Sequence, residues 1–322
     1  MGELLGIILP WIVLAAGLVL LIKGADWFVD GASGVAAKFG VPSLVIGLTI
    51  VAFGTSAPEA AVSVSSALKG SSGISLGNVV GSNLFNLLMV VGFCSIIRPT
   101  VIDKSIMKKD YPYSLLATIV LALAMLDKFF GDMPDNVITR TDGFIILAFF
   151  SIFMYYTISS GLGAKEEVEE KKETKSLVKL LVLLGVGIAA IVIGGKAVVE
   201  GASDIARSFG VSETLIGLTI VAVGTSLPEF VTSVVAIRKG EDDIAIGNVV
   251  GSNVFNILFI VGIAAAIKSI TVDPTLITDI FMLLGISVVF YLAVLKKRTV
   301  NRAGGMVMVA TYVAYMIYAI VR

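Results

Sequence analysis

The chain contains no histidine and a single cysteine, Cys94. Without imidazole it lacks the commonest zinc ligand and the commonest proton shuttle near neutral pH. One thiol excludes an internal disulfide and any thiolate metal cluster, and apolar packing is the ordinary role of such a residue. Charge is scarce: 15% of residues are Asp, Glu, Lys or Arg, where a soluble domain carries about 25%. The 24 acidic and 24 basic residues balance to a formal net charge of zero, so nothing points to a nucleic acid or an acidic partner. Any metal has to bind through oxygen. With no histidine, thiolate pair or nucleophile–base arrangement, no enzymatic chemistry is expected, and no cofactor.

Hydrocarbon takes the place of charge. The chain is 57% hydrophobic with a mean hydropathy of +0.99, which describes an integral membrane protein. Its apolar runs are at least ~18 residues long, the length of spanning helices rather than of barrel strands. Ten spans are predicted, over 4–24, 42–67, 74–97, 112–127, 142–161, 176–196, 212–237, 244–267, 276–295 and 303–321. The first apolar run has no basic n-region before it and is long enough to span, so it is expected to stay rather than be cleaved. The first and sixth spans are expected to continue through Asp26-Trp27 and Glu200 as long, tilted helices.

One segment occurs twice, GLTIVAFGTSAPE ending at Glu59 and GLTIVAVGTSLPE ending at Glu229. A shift of 170 residues aligns Gly31–Asp103 with Gly201–Asp273 without a gap, at roughly half identity, which marks an internal duplication. The fold expected is therefore an all-α polytopic membrane protein. Residues 1–163 form a first five-helix repeat, 164–176 a charged cytoplasmic linker containing KEEVEEKKETK, and 177–322 a second five-helix repeat. An odd number of spans per repeat makes the two copies inverted relative to each other, with the site between them. The loops joining spans 1–2, 3–4, 5–6, 7–8 and 9–10 hold 17 of the 24 Lys and Arg. That asymmetry predicts both termini outside and the linker inside, in the plasma membrane. Asp26, Asp30, Glu200 and Asp204 are expected near the interfaces, solvated rather than ligating.

Within each repeat a carboxylate, two hydroxyls and a proline interrupt an apolar run, where such groups are expensive. Proline lacks an amide hydrogen and clashes with the carbonyl four residues earlier. Pro58 thus releases the Gly54 carbonyl, and the Thr55 and Ala52 carbonyls are expected to tilt free with it. Released carbonyls in a bilayer need a partner, and a cation is one. Glu59 follows the break directly, beside Thr55 and Ser56, and the second copy offers Ala222, Gly224, Thr225, Ser226, Pro228 and Glu229. The companion motifs GNVVGSNLFN and GNVVGSNVFN supply Asn78, Ser82, Asn83 and Asn86, then Asn248, Ser252, Asn253 and Asn256. Ser82 and Asn86 stand four residues apart on one helical face, as do Ser252 and Asn256. Two carboxylates, four hydroxyls, amide oxygens and carbonyls suit hard cations. Ca²⁺ accepts ~6–8 oxygens in flexible geometry, whereas Mg²⁺ demands an octahedron. The same oxygens can hold several Na⁺ instead, which is the basis for competition and exchange.

At these residues the chain resembles the Ca²⁺/cation antiporter superfamily and, within it, the prokaryotic sodium/calcium exchangers, whose repeats each carry GTS-x-PE followed by G-N-x-x-G-S-N. The resemblance implies Na⁺ and Ca²⁺ as the transported ions and the lipid bilayer as the surroundings, with no protein partner. It implies Glu59 and Glu229 as the central carboxylates for Ca²⁺, assisted by the Thr55 and Thr225 carbonyls. Ser56, Ser82, Ser226, Ser252 and the carbonyls of Ala52 and Ala222 would help hold Na⁺, with Asn86 and Asn256 lining the ion path. The long first and sixth helices would slide across the other eight during alternating access. Some members, including potassium-dependent exchangers, have aspartate where this chain has Asn256, which argues against K⁺ cotransport. The proton/calcium branch has a different motif before its glutamate, so proton coupling is the alternative within the class. A cation channel is the alternative outside it.

Overall fold

The computed structural model describes residues 2–69, 72–130, 135–163, 175–211, 216, 220 and 222–321. The charged linker before Lys175 and most of 212–221, the first half of the predicted seventh span, lie outside the described residues. Helices account for nearly all of the rest. The first half comprises α1 (Gly2–Phe39), α2 (Ser43–Thr55) and α3 (Ala57–Lys69), which meet at a 50° bend, α4 (Gly73–Ile97), α5 (Tyr111–Ala124) and α6 (Arg140–Gly163). The second half comprises α7 (Leu177–Ser208), α8 (Leu227–Lys239), α9 (Asp242–Ile267), α10 (Pro274–Val294) and α11 (Arg302–Val321).

Among the described residues, seven helices are each long and apolar enough to cross a membrane, and the bent pair α2–α3 makes an eighth. The protein is thus a multi-pass helical membrane protein. Helix ends follow local chemistry. Asp273 caps α10 by accepting the Thr275 N–H at 2.8 Å, with Pro274 at the first helical position where no donor is needed. α8 stops at Gly240, whose φ of 85° suits only a residue without Cβ. As anticipated, α1 and α7 outrun their apolar cores. At 38 and 32 residues they are about 57 and 48 Å long, well beyond a ~30 Å hydrocarbon layer.

The duplication is visible in the elements. α3 and α8 begin at 57 and 227, and wide helical turns fall at Phe85–Val90 and Phe255–Ile260, each pair 170 residues apart. Two short antiparallel ladders tie the halves together. β1 (Thr100–Val101) pairs with β4 (Thr299–Val300), and β2 (Val137–Ile138) pairs with β3 (Ile270–Thr271). Both wide turns start on a phenylalanine held by other rings. Phe255 packs on Phe53 (4.9 Å between centroids) and Phe259 (4.5 Å), and Phe85 packs on Tyr312 (5.3 Å).

α1 and α7 form an antiparallel pair in nearly direct backbone contact. Gly17, Gly24 and Gly31 recur every seven residues on α1, and Gly187, Gly194 and Gly201 do so on α7. A Cβ on Gly24 would lie 2.8 Å from the Ile191 nitrogen, and one on Gly194 would lie 2.6 Å from the Leu21 nitrogen. Hydrocarbon offers no hydrophobic drive between helices, so this close van der Waals packing holds the pair. The charges on the pair are not merely solvated. Asp26 and Asp30 on α1 share the Lys239 ammonium from the end of α8, Asp26 at 2.7 Å. Ser33 donates to Glu241 at 2.7 Å. On α7, Glu200 pairs with Lys196 at 3.7 Å and Asp204 with Arg207 at 2.6 Å. All of these charges are part-exposed, so each pair contributes only ~0–1 kcal/mol. Cys94 is buried and free.

Gly194→Val is expected to destabilise the protein in detergent by about 1–3 kcal/mol through overpacking. Gly185→Val, one helix face away where a Cβ meets nothing within 4 Å, should leave it unchanged. Thermal unfolding of both variants checks this, and equal midpoints would show that the glycine seam does not hold α1 to α7.

Candidate cation site

The bends that interrupt the two halves place each glutamate in the first turn of a helix. Ser56 leaves the helical region (φ −81°, ψ 7°) between α2 and α3, and Ser226 does the same (φ −94°, ψ 5°) before α8. Glu59 and Glu229 then lie at the N-terminal, electropositive ends of α3 and α8. The Ala52 carbonyl, expected to tilt free at the proline, instead accepts the Ser56 N–H at 3.0 Å and the Thr55 hydroxyl at 3.3 Å. α2 completes its last turn before the chain bends. At the second bend the Ser226 N–H goes to the Val223 carbonyl, three residues back, at 3.1 Å.

The hydrogen bonds around the glutamates cross from one half to the other. Ser56 donates to Glu229 Oε1 at 2.8 Å, and Ser226 donates to Glu59 Oε1 at 2.9 Å. Ser252 adds a longer contact to Glu229 Oε1 at 3.4 Å, and Ser82 lies 2.9 Å from Ser226 Oγ. Thr55 donates to Asn248 Oδ1 at 2.9 Å, and Thr225 to Asn78 Oδ1 at 3.2 Å. Of the side chains expected at the site, Thr55, Ser56, Glu59, Ser82, Asn86, Ser226, Glu229, Ser252 and Asn256 are all buried, and Thr225 is half-buried.

The supporting layer was only partly anticipated. Asn78 and Asn248 donate to Ser63 and Ser233 at 3.0 Å each. Those serines sit four residues after the glutamates, 170 apart, a signal present in the duplicated sequence. Asn83 and Asn253 orient the neighbouring amides across the halves. Asn256 Nδ2 donates to Asn83 Oδ1 at 3.1 Å, and Asn86 Nδ2 donates to Asn253 Oδ1 at 3.2 Å. With their donors engaged, Asn86 and Asn256 are left presenting their oxygens.

Among the described residues eight buried side-chain oxygens have no hydrogen-bond partner, and four of them belong to residues expected at the site: Glu59 Oε2, Glu229 Oε2, Asn86 Oδ1 and Asn256 Oδ1. Buried acceptors rarely go unsatisfied, and a buried carboxylate without a counter-charge is costlier still. Among the described residues, no Lys or Arg pairs with either glutamate. Nor do any three Asp, Glu, Cys or His gather into a metal cluster. The charge available to a cation is therefore that of two carboxylates, surrounded by neutral oxygens.

Known proteins similar to this chain include exchangers and an antiporter. The family described as sodium/calcium exchanger protein matches residues 9–159 and 179–321. A protein of Alkalimonas amylolytica named as the antiporter CaxA is 35% identical over 310 residues, covering 93% of this chain and 95% of its own. The sodium/calcium exchanger MaX1 of Methanosarcina acetivorans is 32% identical over 340 residues, covering 95% of this chain and 97% of its own. The sodium-calcium exchanger NCX_Mj, in crystals soaked with 2.5 mM Na⁺ and 0.1 mM Ca²⁺, superimposes with a TM-score of 0.83 at 31% identity, covering 97% of this chain and 98% of that one.

Removing an orienting amide should weaken cation binding without unfolding the site. Asn83→Ala is expected to lower cation affinity about tenfold, the effect of one lost hydrogen bond to a buried group. Calorimetric titration of purified protein with Ca²⁺ measures this, and an unchanged affinity in a folded variant would show that Asn256 needs no orientation from Asn83.

Proposed function

This chain belongs to the sodium/calcium exchanger protein family, and from that premise we propose that it is a secondary active antiporter exchanging Na⁺ for Ca²⁺ at a site built on Glu59 and Glu229. The observation that carries this is the set of partnerless buried oxygens, two carboxylate and two amide, with no Lys or Arg paired to either glutamate among the described residues. A divalent cation neutralises both carboxylates at once, and an all-oxygen set with adaptable geometry favours Ca²⁺ over Mg²⁺.

Sodium uses the same groups differently. The Ser56 and Ser226 hydroxyls direct their protons at Glu229 and Glu59, so their lone pairs stay available to a monovalent ion. The carbonyls of Ala222, Thr55 and Thr225 add neutral oxygens at the helix breaks, with Ser82 and Ser252 alongside, and that of Ala52 joins them on releasing the Ser56 N–H and Thr55 hydroxyl that it accepts here. Both ions draw on the same two carboxylates, so binding of one excludes the other. That exclusion makes transport an exchange rather than a leak.

The supporting architecture is ten spans in two inverted five-helix repeats, residues 1–163 and 177–322 joined by the 164–176 linker. Reciprocal hydrogen bonds between the halves support it, as do the elements 170 residues apart. The α1–α7 pair, which touches itself through backbone glycines, is the body that slides past the remaining helices to expose the site to either side. In the plasma membrane the basic loops face inward and both termini face outward.

Two predictions follow from this assignment. In proteoliposomes, Ca²⁺ uptake should require an opposing Na⁺ gradient, and Glu59→Gln or Glu229→Gln should each abolish it while the protein stays folded. Removing either charge leaves a divalent ion half-compensated in a low-dielectric site. Uptake driven equally by K⁺ or protons would move the protein to another coupling class, and uptake with no counter-ion would make it a channel. For topology, cysteines introduced near the C-terminus and in the linker of a Cys94→Ala protein are labelled in intact cells with an impermeant thiol reagent. The terminal site should react and the linker should not; the reverse pattern overturns the orientation.

A further inference from the structure

Away from the glutamates, an open groove of about 690 Å³ lies between α10 and α11. The two helices diverge because each packs elsewhere. α11 presses on α4, where a Cβ on Gly305 would fall 2.5 Å from the Gly92 carbonyl. α10 leans on α5, where Tyr111 donates to the Ser287 carbonyl at 3.1 Å and its ring lies tilted against Phe290 with centroids 5.3 Å apart. Between them Gly285 leaves the wall open, a Cβ there meeting nothing within 4 Å.

The walls are hydrocarbon along most of the groove, from Met282 and Ile286 to Val307 and Met308, and its polar end carries Lys297, Thr299 and Asn301. The stretch of α10 from Met282 to Val294 is about 18 Å long at 1.5 Å per residue, a little more than one ~15 Å leaflet of a ~30 Å hydrocarbon core. The segment at the polar end reads LKKRTVNR, with Lys296, Lys297, Arg298 and Arg302 and no acidic residue. Among the described residues no carboxylate pairs with Lys296, Lys297 or Arg298.

In the other half the equivalent pair of helices is bridged. There Tyr113 bridges α5 to α6, donating to the Phe149 carbonyl at 2.6 Å with its ring 5.3 Å from Phe153. The residue 170 positions later is Leu283, which makes no such bridge. The corresponding connection, 126–140, contains three aspartates. The duplication has therefore diverged here in both shape and charge.

We propose that the α10–α11 groove is a binding site for an anionic phospholipid. One acyl chain lies between the helices and the phosphate sits at Lys297 and Asn301, within the positive field of Lys296, Arg298 and Arg302. The groove's floor is Leu88, two residues from Asn86 in the same wide turn, so the chain packs on the back of the turn that presents a site oxygen. The assignment depends on the protein spanning a bilayer and not on which ions it exchanges.

Native mass spectrometry of delipidated protein, given phosphatidylglycerol or phosphatidylcholine at equal concentration, tests it. The parent should retain phosphatidylglycerol preferentially. Lys297→Gln, a change at an exposed side chain, should reduce that preference about fivefold, the effect of one cationic residue at an anionic headgroup. Gly285→Leu, which fills the groove, should lose the retained lipid altogether. Equal retention of the two lipids by the parent, or an undiminished preference in Lys297→Gln, overturns the proposal. Should Gly285→Leu fail to fold, Lys297→Gln alone decides.

Discussion

Two carboxylates buried at the centre without a basic partner constrain everything around them. Each stripped of water in a low-dielectric interior is costly, and two together repel. Neither helix dipoles nor serine hydroxyls neutralise a full charge; they only make the ionised form tolerable. Ser56 and Ser226 each satisfy one carboxylate oxygen, and the facing oxygen of each glutamate stays bare. In the proposed exchange site that deficit would select cations by electrostatics before any detail of geometry matters, and the neutral amide and hydroxyl oxygens would then decide how many ions, and of what radius, it holds.

The halves answer each other at the site because each supplies what the other lacks. Ser56 serves Glu229 while Ser226 serves Glu59, and Asn83 steadies Asn256 while Asn253 steadies Asn86. Neither half alone completes the oxygen shell. Duplication thus produces a site by reciprocity, with its polar groups satisfied across the interface instead of within one bundle.

Much of this was legible in the sequence, because polar residues in an apolar run stand out. The glutamates, Ser82, Ser252, Asn86 and Asn256 are all buried, as expected of polar groups set into apolar runs. The exceptional length of α1 and α7 was legible too. Three things were not. The wide turns at Phe85–Val90 and Phe255–Ile260 leave no mark in composition, since one extra residue per turn changes geometry without changing residue type. The free Ala52 carbonyl was inferred from proline chemistry alone. In the structure the bend falls at Ser56, after α2 has closed its final turn, so the strain of Pro58 is absorbed later in the chain than the missing amide hydrogen suggests. The seven-residue glycine spacing on α1 and α7 was present in the sequence, but a glycine stripe does not reveal its partner until two helices are laid side by side.

The two halves agree at the buried site and disagree at the ends of the long helices. Lys239 reaches Asp26 and Asp30 on α1, and Ser33 reaches Glu241. At the positions 170 residues away the pattern is not repeated. Lys69 is exposed, Glu200 pairs within its own helix, and buried Ser203 has no partner for its hydroxyl. The asymmetry therefore falls on part-exposed contacts worth ~0–1 kcal/mol each, while the buried contacts that cost several kcal/mol to break are the symmetric ones. The proposed sliding of α1 and α7 would need this division: the contacts that differ between the ends would have to be cheap to remake, and those at the proposed ion site would have to survive the change.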